Sequence, residues 1–426
     1  MKITFINNTM LLLEGKNSKV LCDPWITFNN QSISGFYNFP KCSYTQKQVT
    51  EIKPDFIYIS HTHPDHYDPP TLSLFDKNTP ILVADYDINF TDKMLRNIGF
   101  KDVRVVCKKE GNKLNADDKI WVEPSLSNPE VDSIAVFKID GIKAINANDN
   151  VFHEAQCKSI TNKVKGIDVG LIPSASHGPF PMFFENFTDN EKEILSEQRS
   201  LKLKNTFVDY IKSINPKYVV PIAGGVIAYG NKAKLYSYSG ISGRKEVVDY
   251  ALKKVDFIPI LLSEGNSYDF AVGKKFGQYI EKIHSEETEY IQELCNIPSN
   301  FGPNGFFYIA PHQRTDLSRL LKLARTNQIK WQNIKNTISK IVYFFDVGES
   351  ELYRLSLGDD TVKKIKEENI TDDKYEIYRM PYELLLGMLI RQYIWSNINT
   401  QYISFYRKNS DGADKDLLLL MNFLHV

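Results

Sequence analysis

The stretch Phe56-Ile57-Tyr58-Ile59-Ser60-His61-Thr62-His63-Pro64-Asp65-His66-Tyr67-Asp68 places three histidines and a carboxylate within six positions, directly after an apolar run of strand length. The whole chain has only eight histidines, so this clustering argues against a solvated surface loop. Loops at strand ends are where open α/β architectures gather reacting groups. In an extended segment His61 and His63 project to the same side, and both imidazoles can reach one divalent ion at ~2.0–2.1 Å. Pro64 then bends the chain, which lets Asp65 and His66 face a second ion beside the first.

Outward from this segment the first 150 residues read as short strands separated by turns. Apolar, β-branched runs occupy 2–6, 10–14, 19–23, 55–60, 80–84, 103–107, 119–123, 133–139 and 142–146. Further strands are expected at 168–173, 217–222 and 257–262, with helices at 91–98 and 189–214. Strand-rich halves punctuated by helices predict an α/β sandwich in which helices cover two packed sheets. Composition shifts after about residue 275. Helical patterns at 279–295, 315–341 and 381–396 surround strand-like runs at 342–347, 351–356 and 402–406. The Pro-, Gly- and Asn-rich stretch 296–304 is the linker candidate. The expectation is a first domain over 1–275 and a C-terminal α+β module over 280–426.

Composition narrows the function. Lys+Arg and Asp+Glu both number 52, and a formal net charge of zero lacks the electrostatic footprint of a nucleic-acid binder. Aromatics at 12% are too abundant for a disordered chain. The five cysteines, Cys22, Cys42, Cys107, Cys157 and Cys295, are scattered without a Cys-x-x-Cys pair, which argues against a disulfide scaffold, a zinc ribbon or an iron–sulfur cluster. Asn7 and Asn8 interrupt the first apolar run, so it reads as a strand rather than a signal peptide. No stretch approaches the ~20 apolar residues that span a bilayer. A cytoplasmic enzyme acting on a small molecule is expected, with homo-oligomerisation left open.

The spacing His61-x-His63-x-Asp65-His66 resembles the signature of the metallo-β-lactamase fold superfamily. Met10 to Ile26, ending in Asp23-Pro24-Trp25, resembles the opening hairpin of one branch. That branch includes ascorbate-6-phosphate lactonase, N-acylphosphatidylethanolamine phospholipase D and CMP-N-acetylneuraminate hydroxylase. Ile145 to Asn150 resembles the strand that ends in a metal-bridging aspartate, and its Asn148-Asp149 is most similar to the hydroxylase. The resemblance covers about residues 1–260. It implies an αββα sandwich holding one or two divalent ions (zinc, iron or manganese), with Asp149 shared. One ion would take His61, His63 and Asp149; the other would take Asp65, His66 and Asp149.

Two ligands usual in the superfamily are missing. No histidine lies between His66 and His153, where Glu123 to Ser127 offers only hydroxyls and a carboxylate. None follows the strand that precedes residue 222. Fewer imidazoles shift preference from zinc towards iron or manganese. His153 and His177 are the candidate substitutes: His153 as a metal ligand, and His177 as a catalytic or substrate contact. Asp65 combines metal ligation with a proton-accepting role. His284, His312 and His425 read as non-functional.

The glycine-rich Ile222 to Gly230 lacks a phosphate-loop ending and reads as a tight turn. The basic, Tyr-containing run 232–244 reads as a solvated loop. Trp395 to Asn399 with Tyr406-Arg407 resembles a sterol-carrier-like tail, although Leu384, Leu385, Leu386 and Met388 read more simply as a core helix.

Three functions follow. The first is a metal-dependent hydrolase acting on a phosphate- or sugar-bearing small molecule. The second is a di-iron oxygenase fed by an external electron donor, since this chain has no Rieske Cys/His pattern. The third is a binding protein with a decayed metal site.

Overall fold

The computed structural model describes residues 1–27, 36–86, 90–107, 110–126, 132–281, 287–298, 308–332, 342–356, 361–392, 402–409 and 424–426. Two sheets face each other. One has eight strands, in the order Lys274–Phe276, Ser267–Asp269, Lys2–Asn7, Met10–Glu14, Lys19–Cys22, Phe56–Tyr58, Ile81–Ala84 and Val103–Val106. The other has seven: Ile258–Pro259, Tyr218–Ile222, Val169–Pro173, Ile142–Asn146, Ser133–Ile139, Lys119–Pro124 and Asn112–Lys113.

Strand alternation explains the layering. Leu82 and Ala84 join Ala135, Phe137 and Leu171 in the core between the sheets. Their neighbours Ile81 and Val83 face outward, packing with Val49, Leu72 and Leu95 of the helices Gln46–Thr50, Pro69–Leu72 and Phe90–Asn97. On the other side Ile134, Val136 and Ile172 pack against the helices Glu154–Val164, Asp189–Ile214 and Arg244–Leu252. The result is the expected αββα sandwich. Ile81–Ala84 is apolar on every residue because both of its faces are covered.

Helix Asp189–Ile214 spans the expected residues. The Thr188 hydroxyl accepts from the Glu191 N–H, and the Glu191 carboxylate accepts in return from the Thr188 N–H, a reciprocal cap. Other expectations shorten. The strand at 257–262 is only Ile258–Pro259, and the C-terminal helices are Thr288–Cys295, Ser318–Gln332 and Tyr382–Leu389. Within those expected segments, residues 282–286 (with His284), 333–341 and 393–396 lie outside the described residues, as do 299–304 of the linker and Trp395 to Asn399. The strand expected at 402–406 is Ser404–Lys408.

A further, five-stranded sheet runs Val362–Ile365, Leu352–Ser356, Val342–Asp346, Tyr375–Arg379, Ser404–Lys408. Leu384, Leu385 and Met388 are fully buried against it, as a core helix should be. The same apolar cluster takes in Trp25, Phe36 and Met182 to Phe184 from the first part of the chain. The main chain joins too: the Glu185 N–H donates to the Phe405 carbonyl (2.8 Å) and the Phe405 N–H to the Phe183 carbonyl (3.2 Å). Strand Lys274–Phe276 runs across residue 275 in the eight-stranded sheet, and the five-stranded sheet shares a core with the first part of the chain.

Candidate metal centre

The site forms at one edge of the sandwich, where loops at the strand ends meet. The strands Lys19–Cys22 and Phe56–Tyr58 run parallel and side by side, so Asp23 and Ser60 leave the sheet together. The antiparallel register of Ala135 opposite Asn146 brings the residue before one strand, Asp132, beside the residues after the other, Ala147 to Asp149. After Pro64 the chain turns tightly, and the N–H groups of His66 and Tyr67 both donate to the His63 carbonyl (3.0 and 2.8 Å). That turn brings the His66 ring to 3.9 Å from His61, centroid to centroid, with His63 at 4.2 Å from His61.

Among the described residues two sets of donor atoms converge, each within 4.8 Å of one another. The first is His61, His63, Asp132 and Asp149; the second is Asp65, His66 and Asp149. Asp149 belongs to both. Its Oδ1 lies 3.4 Å from His61 Nε2 and 3.3 Å from His66 Nε2. These three atoms are buried, and none has a hydrogen-bond partner among the described residues. Buried polar atoms are normally satisfied, so three lone-pair-bearing atoms aimed at one another fit a cation between them. Three imidazoles and three carboxylates suit a dinuclear centre.

The charge balance of the site differs among the three imidazoles, and His66 would give up a proton on taking an ion. Burial, followed by the neighbouring imidazole, pulls both His61 and His63 down to about 4, which leaves neutral rings able to ligate. Burial also opposes charge on His66, but Asp149, Asp65 and Asp23 override it and hold this imidazole well above its ordinary range. Burial would raise the Asp65 and Asp149 carboxyls; the histidine charges override that, and both stay below the usual carboxylate range.

The supporting residues are as ordered as the ligands. Asp23 and Ser60 are fully buried, and His66 Nδ1 lies 2.9 Å from Asp23 Oδ2. Asn8 donates to Asp65 Oδ2 (3.0 Å) and accepts from the Gly225 N–H (2.9 Å), while its backbone sits at φ 45°. Asn tolerates that left-handed conformation better than most residues. Asn8→Ala is therefore expected to cost about 1–3 kcal/mol through the lost hydrogen bonds and the strained backbone. Urea unfolding measures this, and Asn8→Gly isolates the hydrogen-bond part.

Asp132 is the residue that sequence reasoning missed. It joins His61, His63 and Asp149 in the first donor set, yet an acidic residue before an apolar strand carries no local signal. Glu123, offered earlier in place of the absent imidazole, instead pairs with Lys163 and accepts from Ser159 Oγ (3.2 Å). Ser125 donates its N–H to the Asp132 carbonyl (2.8 Å), and Ser127 lies outside the described residues. His153 caps the helix Glu154–Val164 and falls in neither donor set.

His177 stands in the loop after Val169–Pro173, its ring edge-on to Phe36 at 4.9 Å and its Nε2 buried without a partner. Burial and then Arg199 push it down to about 3, so the imidazole is neutral. The glycine-rich stretch is only partly a turn: its Ala223 and Gly225 N–H groups are spent on Asn8, and Val226–Ala228 forms a short strand beside Phe36–Asn38. The basic run is less solvated than expected. Lys232 donates to the Ile403 carbonyl and lies 4.7 Å over the Phe183 ring, tying the two parts of the chain together.

A family model described as the beta-lactamase superfamily domain matches residues 2–157. The chain is 24% identical over 236 residues to a cytidine monophosphate-N-acetylneuraminic acid hydroxylase of Xenopus laevis, covering 52% of this chain and 38% of that protein. It is 23% identical over 231 residues to a candidate Rieske 2Fe-2S iron-sulfur protein of Mycolicibacterium smegmatis, covering 53% of this chain and 43% of that one. The chain thus spans less than half the length of these relatives. Similar solved structures include an isothiocyanate hydrolase from Delia radicum gut bacteria (TM-score 0.45, 17% identity, 63% of this chain and 99% of that one). Another is a diiron β-hydroxylase from Streptomyces venezuelae (TM-score 0.43, 12% identity, 65% and 54%). Among the described residues no helix is long and apolar enough to cross a membrane.

Proposed function

We propose, from the premise that residues 2–157 are a beta-lactamase superfamily domain within the αββα fold, that this chain is a metal-dependent enzyme with two divalent ions about Asp149. The observation that carries the proposal is the convergence of buried, unpartnered His61 Nε2, His66 Nε2 and Asp149 Oδ1. His61, His63, Asp132 and Asp149 would hold one ion, and Asp65, His66 and Asp149 the other. Paired divalent ions supply a water made acidic enough to be hydroxide near neutral pH. The chain supplies the rest. Asp65, kept ionised by His66 and fixed by Asn8, is placed to orient that water and accept its proton. Neutral His177, edge-on to Phe36, offers Nε2 to the substrate from an apolar wall. The reaction we favour is hydrolysis of a small phosphate- or sugar-bearing molecule.

Asp132 favours a second reading. A carboxylate in place of an imidazole moves the donor set away from zinc and towards iron or manganese. Iron opens di-iron hydroxylation, and one of the relatives is named a hydroxylase.

Metal analysis of protein expressed without metal supplementation tests both readings. About two zinc or manganese ions per chain support the hydrolase, and about two iron ions with a visible absorption band support the hydroxylase. Protein that takes up no metal from zinc, manganese or ferrous solutions would sink both.

A further inference from the structure

His61 and His66 belong to different donor sets, yet their Nδ1 atoms converge on one buried pair, Ser60 and Asp23. Ser60 Oγ lies 2.9 Å from His61 Nδ1 and 2.8 Å from Asp23 Oδ2. His66 Nδ1 lies 2.9 Å from the same Oδ2. The Ser60 N–H donates to Asp23 Oδ1 at 2.7 Å, which fixes the carboxylate plane. Only one arrangement of protons satisfies these contacts with every donor donating. The His61 Nδ1–H donates to Ser60 Oγ, the Ser60 O–H donates to Asp23, and the His66 Nδ1–H donates to Asp23. Both Nε2 lone pairs are then free for metal. Asp132 Oδ1 lies 3.3 Å from His61 Nδ1, farther than Ser60 Oγ at 2.9 Å.

We propose that Ser60 is a positioning residue whose hydroxyl extends Asp23 to His61, so that one carboxylate orients a ligand of each ion. This rests on the metal-site reading above. A hydrogen-bonded partner behind a ligating histidine fixes its tautomer and is worth about 10–100-fold in metal affinity. Ser60 Oγ also lies 3.2 Å from His66 Nδ1, but that ring has a shorter contact, 2.9 Å, with Asp23 itself, whereas His61 reaches Asp23 through Ser60. The relay therefore predicts a larger effect of Ser60 on the ion held by His61 than on the one held by His66, and an effect of Asp23 on both.

Titration of zinc chloride into metal-stripped full-length protein, against a chromophoric chelator, reads both affinities. Ser60→Ala is expected to weaken the ion held by His61 and His63 by about 10–100-fold, and the other ion by less than about threefold. Asp23→Asn is expected to weaken both. Ser60→Thr, which keeps the hydroxyl, is expected to recover most of the loss. Unchanged affinities in Ser60→Ala, or an equal loss at both ions, overturn the relay while leaving the metal centre standing. Wild-type protein that binds no zinc, manganese or iron overturns the centre itself and the relay with it. Nitrogen-15 spectra of the zinc-loaded wild-type chain need no variant: a proton on His61 Nδ1 is expected, and a bare Nδ1 there overturns the proposal.

Discussion

Asp149→Asn is expected to emerge from purification with less than about one tenth of the wild-type metal, the largest single effect at the centre. The reason is geometric. One oxygen, Oδ1, stands 3.4 Å from His61 Nε2 and 3.3 Å from His66 Nε2, so both ions lose a ligand together. If roughly 10–16 kcal/mol of binding is shared among three or four ligands, each ion loses about 3 kcal/mol, or two decades of affinity. The amide is the same size and the fold should persist, so unfolding of the metal-free variant serves as the control. His63→Ala touches only the first donor set and is expected to leave about one ion bound. Full metal content in Asp149→Asn would show that the shared aspartate bridges nothing.

The second large effect is expected far from the metal, at Arg407. Its Nε and Nη2 donate to Glu376 Oε1 at 2.7 and 2.6 Å, with both side chains almost completely buried. The guanidinium also covers the Phe180 and Phe184 rings at 4.8 and 4.7 Å. Arg407→Met leaves the Glu376 carboxylate buried without its cation, and about 3–5 kcal/mol of stability is expected to be lost. The double variant Arg407→Met/Glu376→Leu removes both charges and should recover most of that, because a buried pair replaced by apolar groups is often neutral. Urea midpoints read both variants. A loss below about 1 kcal/mol in the single variant would mean that water reaches Glu376 and the pair is not truly buried.

The sheets were legible because their residues leave little choice. Ile81 to Ala84 and Ser133 to Ile139 are apolar on both faces, which only a strand covered on both sides can use. Helix Asp189–Ile214 announces its start through Thr188 and Glu191. Helix Glu154–Val164 was missed. Its N-cap, His153, makes no side-chain cap, and Ile160, Thr161 and Val164 are β-branched, so local propensity hides what packing against Ile145 and Ile172 enforces.

In the centre, the donors on one short loop were readable from spacing alone. Asp149 came from resemblance. Asp132 and Asp23 became visible only in three dimensions, because strand register and a parallel strand pair bring them to the histidines. The same is true of the pairing of Phe36–Asn38 with Val226–Ala228, which lie far apart in the chain.

The hydrogen bonds between Phe405 and the segment Phe183–Glu185 lie just downstream of His177. The strand Ser404–Lys408 therefore acts as a splint on the segment that follows His177. A cut or a distortion in the last sheet would loosen the segment that follows His177 while leaving the two donor sets untouched.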